Sequence, residues 1–507
     1  MAHAKFIHKS MSNLYQSIQA GLHSQRARVV IDTRVRRLTG AQLDVLVGRY
    51  ANALLELQVN IGDRVAAQVE KSLENIALYL ACLRIGAVYL PLNSAYRSAE
   101  VEYLLSDAGP KVFVIAPERE TELQPVTRKA NVATTLTLGT NGDGNLPKLA
   151  AMQNEIAPIV PCDASDLAVI CYTSGTTGRS KGAMITHGNL LSNATTLVHL
   201  WGFTQHDVLL HVLPLYHIHG LFVALHCALL SGAKILLQNA FNVHAVLDTL
   251  PNATVMMGVP TFYTRLLAEP ALNREVAGNM RLFISGSAPM LTETFNAFEQ
   301  RTGHRILERY GMTETEIISS NPLDGVRRAG TVGLPLPDVD VRIADPKNGV
   351  GVVEVKGPNI FSGYWNQPEK TRAEFRDGYF ITGDIGTIES DGYLRLVGRA
   401  KDLIISGGLN VYPKEIEDAI DALPDVIESA VFAIPHPDFG EAVAAAVTVR
   451  RNSALTSDAI IATLRTQLAA FKMPKRVFVV DELPRNAMSK VQKNVLRERY
   501  KDNFTVS

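Results

Sequence analysis

The sequence predicts an α/β protein: a large N-terminal domain of α/β layers with a β-barrel-like unit, followed by a small mobile α+β C-terminal domain. Three observations carry this reading. Short apolar runs at residues 28–31, 65–68, 111–115, 167–172 and 234–237 alternate with helical patterns, the signature of α/β layers with parallel strands. From 330 to 398 repeated Gly, Pro and Asp separate short alternating strands (VDVRIAD, GVVEVKG, YLRLVG), as in a compact β unit. From 401 to 507 a helix starting near Pro413 precedes the strands ESAVFAIP and EAVAAAVTV.

Taken in chain order, residues 13–22 read as an amphipathic helix leading straight into the first apolar run. The stretch 220–237 is apolar but interrupted by His226 and Lys234, so a buried helix plus strand is expected rather than a membrane span. Gly398-Arg399-Ala400-Lys401-Asp402 is the candidate linker, which divides the chain into 1–400 and 401–507. No fixed-period repeat or low-complexity segment appears.

The 507 residues exceed one ordinary hydrophobic core. Lys plus Arg and Asp plus Glu number 50 each, so no global field draws the chain to nucleic acid or an anionic membrane, and small molecules are the expected partners. Cys82, Cys162, Cys171 and Cys227 lie far apart, which speaks against a disulfide framework or a zinc site and for a reducing compartment. Residues 1–31 lack Asp and Glu, as transit peptides do, yet the helix at 13–22 already belongs to the globular pattern. A cytoplasmic location is therefore expected.

The most informative segment is Thr173-Ser174-Gly175-Thr176-Thr177-Gly178-Arg179-Ser180-Lys181-Gly182, directly after an apolar strand. Such a loop can aim successive N–H groups, hydroxyls and one ammonium at a polyphosphate. A mere surface turn needs neither five hydroxyls nor a lysine. The P-loop pattern G-x-x-x-x-G-K-[ST] fails at two defining positions: counted from Gly175, Ser180 stands for the second glycine and Gly182 for Ser/Thr.

The loop resembles instead the signature loop of the adenylate-forming superfamily, which contains acyl-CoA synthetases, luciferases and peptide-synthetase adenylation domains. Four further segments match that family in the same order. Glu308-Arg309-Tyr310-Gly311-Met312-Thr313-Glu314-Thr315 is similar to its nucleotide and metal motif, in which the tyrosine packs on adenine and Glu314 holds Mg²⁺. A lone carboxylate suffices for Mg²⁺, which keeps waters and phosphate oxygens; an ordinary helix cap at Thr313 is the structural alternative. Thr382-Gly383-Asp384 and Gly398-Arg399 match the ribose contacts, Asp384 accepting from the hydroxyls and Arg399 donating. Pro484 to Lys490 resembles the C-terminal motif whose lysine enters the site for adenylation, with Ser489 where most relatives have Gly; Lys493 is the alternative lysine. Lys401 occupies the family's hinge position, and Gly407 and Gly408 would line the pantetheine tunnel of CoA.

The segments expected to border the acyl pocket are Tyr216-His217-Ile218-His219-Gly220, residues 258–267 and Ser285-Gly286-Ser287-Ala288-Pro289. Gly258-Val259-Pro260-Thr261-Phe262-Tyr263-Thr264-Arg265 ends in a cation and closely resembles the malonyl-CoA synthetase branch. That resemblance makes Arg265 the fork for a distal carboxylate, Ser287 a hydroxyl at the substrate that with Ala288 also borders ATP, and His217 the wall beside the reacting carboxylate. A helix-surface arginine is the other reading of Arg265.

The implied reaction joins malonate to CoA through an acyl-adenylate, consuming ATP with Mg²⁺, and methylmalonate is a second candidate substrate. The resemblance also makes Lys490 a candidate target for a lysine acyltransferase. Another short carboxylic acid, or a carrier protein as acyl acceptor, is the alternative enzymatic reading. A nucleotide-binding scaffold is the non-enzymatic one.

Overall fold

The computed structural model describes residues 13–173, 180–406, 409–436, 439–465, 467–468, 470–486 and 490–504. Two large sheets build the body. One has nine strands, and its six central strands (Val29–Asp32, Lys234–Leu237, Val208–His211, Val255–Gly258, Leu282–Ser285, Leu307–Met312) run parallel. The other has seven strands, of which Leu167–Thr173, Val88–Pro91, Arg64–Gln68, Val112–Ile115 and Thr134–Thr137 are parallel. Helix Leu73–Ile85 is buried along its whole length, the consequence of an apolar sequence with no polar face to offer to water.

The first helix spans Leu14–Ser24, and the Asn13 side chain caps it by accepting from the Tyr15 N–H. The stretch 220–237 folds as a helix plus a strand: His219–Ala224 forms a π-type turn, Leu225–Ser231 a helix and Lys234–Leu237 a parallel strand with Ile235 and Leu237 buried. Among the described residues no helix is long and apolar enough to cross a membrane.

Between these sheets and the C-terminal part lies a five-stranded antiparallel sheet built on Asp340–Lys347, Val350–Lys356 and Tyr379–Ile388. A small α+β domain completes the chain. Its strands Val426–His436 and Gly440–Val449 form one long antiparallel pair, and two hydrophobic clusters fill its faces, drawing on no residue before Ile404.

In parallel sheets, ligands meet the chain beyond the carboxyl ends of the strands. His211, Gly258, Ser285 and Met312 are such ends here. The segments that follow them carry His217, Arg265, Ser287 and Glu314.

Candidate active site

Strand Leu167–Thr173 is apolar and rich in β-branched residues, and it returns antiparallel as Lys181–Thr186 with Thr173 opposite Lys181. The two ends of the phosphate-loop sequence are thus paired with each other. Ser174, Gly175, Thr176, Thr177 and Gly178 lie outside the described residues. Lys181 stands at the hairpin's base, its Nζ 3.3 Å from Glu374 Oε1 and 4.2 Å from the centroid of the Tyr364 ring. The Tyr364 hydroxyl donates to Glu314 Oε1 at 3.0 Å, and Thr173 Oγ1 lies 3.4 Å from the same oxygen. One aromatic ring therefore bridges the candidate phosphate-binding cation and the candidate metal-binding carboxylate.

Leu307–Met312 and Glu316–Ser320 form a second antiparallel hairpin. Thr313 and Glu314 sit in its turn, so Thr313 caps no helix. Its closeness depends on Gly311, because a Cβ there would sit 1.8 Å from the Glu316 carbonyl oxygen. Tyr310 donates its hydroxyl to Asp384, whose other oxygen lies 2.7 Å from Arg399 Nε. Burial pushes the Asp384 carboxyl up, while Arg399, the Tyr310 hydroxyl and Lys490 pull it back toward the charged form. Next to Tyr310, desolvation raises the Glu308 carboxyl to about 8, against the N–H groups of Met290 and Gly330.

His217 is held in one tautomer: its Nδ1 accepts the His219 N–H at 3.2 Å, which leaves the proton on Nε2. Burial, with Lys490 and Arg309 nearby, pushes it down to about 3, so the ring is neutral at any physiological pH. Ser287 adopts φ +71° and places its Oγ 3.4 Å from His219 Nδ1, while Ala288 is exposed.

Sequence reasoning missed Arg309. It is 3% exposed, and among the described residues its Nε and Nη2 have no hydrogen-bond partner. It fits because Gly286 has no side chain; a Cβ there would meet the Arg309 Cζ at 2.5 Å. Burial pulls the guanidinium down to about 9, which leaves it a cation at neutral pH. The available signal was period 2 in the strand LERYGM, which puts Arg309 on a face with Leu307 and Gly311.

Arg265 lies on the exposed side of helix Pro260–Leu267 and lines a cavity of about 280 Å³ with Glu70, Lys71, Tyr216, Asn239 and Phe262. None of the adenylate-side residues described above borders that cavity. Arg265 lines this cavity and Arg309 does not.

Lys490 reaches the body of the protein. Surrounding protein, Arg399 and Arg309 hold its ammonium below the ordinary lysine range, opposed by Asp384 and Glu314, although the side chain keeps contact with solvent. Lys493 is engaged elsewhere, 2.5 Å from Glu417 within the small domain, which favours Lys490 as the working lysine. Lys401 is exposed in the single turn Ala400–Asp402, and Asp402 is tied to Arg497 of the last helix at 2.9 Å. Gly407 and Gly408 lie outside the described residues.

Residues 18–365 match the AMP-binding enzyme family, and residues 415–490 match the C-terminal domain of the same enzymes. The chain belongs to that family. ATP-bound MatB from Rhodopseudomonas palustris is 50% identical, superimposes with a TM-score of 0.95, and the match covers 98% of this chain and 100% of that one. A malonate–CoA ligase of Arabidopsis thaliana is 34% identical over 485 residues, 86% of this chain and 78% of its own. A feruloyl-CoA synthase of an Amycolatopsis species is 34% identical over 477 residues, 91% of this chain and 94% of its own. The enzyme is an AMP-forming carboxylate–CoA ligase, with ATP and CoA as substrates. Its named relatives act on different acids, so family membership leaves the acid open.

Proposed function

We propose that this ligase activates malonate, with methylmalonate as a second substrate, giving malonyl-CoA, AMP and pyrophosphate through a malonyl-adenylate. The observation that carries the reading is Arg309: a buried cation with two unpartnered nitrogens, close to the candidate catalytic residues His217 and Lys490. A buried charge without a partner is costly, and a ligand bearing a second carboxylate offsets that cost. Arg265, on the side of the 280 Å³ cavity, would guide the same anion inward. A fatty or aromatic acid brings only its reacting carboxylate and no second anion for a guanidinium.

In the first half-reaction the acid's carboxylate attacks the α-phosphorus of ATP. Lys490, among Arg399, Asp384 and Glu314, offsets charge growing on the α-phosphate oxygens. Lys181 and the segment Thr173 to Gly178 would hold the departing pyrophosphate, and Asp384 with Arg399 would hold the ribose. Mg²⁺ would neutralise phosphate charge when bound. Glu314 suits it as the single protein carboxylate, and among the described residues no group of three or more His, Cys, Asp and Glu could form a richer site. Neutral His217 presents Nε2–H rather than a second positive charge beside Lys490. In the second half-reaction the small domain turns about Lys401, Lys490 withdraws, and the CoA thiol reaches the mixed anhydride along the segment bearing Gly407 and Gly408.

The test is CoA-dependent AMP formation with malonate, methylmalonate, oxalate, acetate, ferulate and a medium-chain acid, for the wild type, Arg309→Met and Arg265→Ala. Malonate selectivity is expected, falling on the order of 100-fold in Arg309→Met and less in Arg265→Ala. Wild-type preference for a monocarboxylate leaves the ligase class intact and overturns the malonate reading.

A further inference from the structure

Two residues outside every motif named above touch the phosphate hairpin. Helix Ser98–Ala108 is fixed to the body by buried Val101, Leu104, Leu105 and Ala108. Tyr103 and Asp107, four residues apart and so on one face of this helix, turn toward the hairpin instead. The Tyr103 hydroxyl donates to the Ser180 carbonyl oxygen at 2.9 Å. Asp107 Oδ2 accepts the Tyr172 hydroxyl at 2.6 Å. The Asp107 carbonyl oxygen further accepts the Trp365 indole N–H at 3.0 Å, and the Trp365 backbone N–H donates to Gly182 O at 2.8 Å. Trp365 and Tyr172 close over Gly182, where a Cβ would meet Ile170 at 2.8 Å and each of these two rings' residues at 3.3 Å.

We propose that Tyr103 and Asp107 are positioning residues for ATP, holding the two flanks of the phosphate loop in register with Lys181 and Glu314. The proposal rests on reading Thr173 to Gly182 as the loop that binds ATP phosphates. The strand pairing between Thr173 and Lys181 already closes the hairpin, so the fold does not require a second tie. One hydrogen bond lands on Tyr172, directly before Thr173, and one on Ser180, directly before Lys181; a single helix thus ties both flanks at the point where the strand pairing ends. Burial and Asp107 raise the Tyr172 hydroxyl well above its ordinary range, so it stays a donor at every working pH.

The experiment separates the half-reactions. ATP–pyrophosphate exchange reports adenylation, and supplied acyl-adenylate plus CoA reports thioester formation, both with the full-length enzyme and its best acid from the panel above. Tyr103→Phe and Asp107→Ala, which removes the acceptor of the Tyr172 hydroxyl, are each expected to raise KM for ATP roughly five- to tenfold, the effect of one lost hydrogen bond. KM for the acid, the thioester half-reaction and Tm stay at wild-type values. Tyr172→Phe should reproduce Asp107→Ala, and the double variant should add nothing to either. Lys181→Ala serves as the reference for the loop itself.

Unchanged KM for ATP in both variants, with Lys181→Ala impaired, overturns the positioning role. Equal losses in both half-reactions with a lowered Tm do the same, since they mark a merely structural contact. Normal ATP kinetics in Lys181→Ala removes the phosphate-loop reading, and the proposal falls with it.

Discussion

At the scale of single residues, Arg309 sets the balance between stability and recognition. A buried guanidinium with unpartnered nitrogens destabilises the empty enzyme, since removing a lone buried charge in favour of an apolar group of similar length is neutral or stabilising. Arg309→Met is therefore expected to melt at or above the wild-type temperature without ligand. Malonate should raise the wild-type Tm, by about 2.7 kcal/mol of added stability at one hundred times its Kd, and leave the variant unmoved. A variant that melts lower and still responds to malonate would assign the anion site to Arg265. Both arginines stood in the sequence, yet only Arg265 ended a motif whose wording pointed to a dicarboxylate. Arg309 lay inside a nucleotide motif, and its burial depends on the missing Cβ of Gly286, 23 positions earlier in the chain. No local pattern reports a contact of that kind.

At the scale of elements, the parallel strands and the first helix were legible because a buried strand is a short apolar run and a helix announces its cap. Lys234–Leu237 falls on the expected residues, and Asn13 caps the helix that follows it. The two hairpins that make the site were not legible. Thr313 reads equally as a helix cap or a turn, and only the pairing of Met312 with Glu316 decides. That hairpin has an unusual turn: Glu316 takes φ +49°, and Gly311 passes within contact distance of its carbonyl. Gly311→Ala must push the strands apart, at about 1–3 kcal/mol of stability. Because Tyr310, Glu314 and Arg309 all ride on this hairpin, adenylation should fall about 100-fold, the effect of an ångström-scale misplacement. Calorimetry and ATP–pyrophosphate exchange read the two effects. Lowered stability with full exchange activity would show that the hairpin does not set the site.

At the scale of the whole molecule, the chain length pointed to more than one core, and the small domain fills its clusters without help from the body. What no composition could tell is that one lysine of that domain would stand among Arg399, Asp384, Glu314 and Arg309 of the larger one. This arrangement fits adenylation: the ammonium is flanked by the residues proposed to hold ribose, metal and the distal carboxylate. In the proposed second half-reaction the CoA thiol would need the space that this ammonium fills. If the domain turns between the two steps, Lys490 contributes to one and is absent from the other. Lys490→Ala should then slow ATP–pyrophosphate exchange by about 10²–10³, as loss of one preorganised cation does, and convert supplied malonyl-adenylate and CoA to malonyl-CoA at a rate near wild type. Lys493→Ala should keep exchange activity, because its partner is Glu417 in its own domain. Equal loss of both half-reactions in Lys490→Ala would mean that the lysine stays in place throughout, and that the domain arrangement seen here serves the entire cycle.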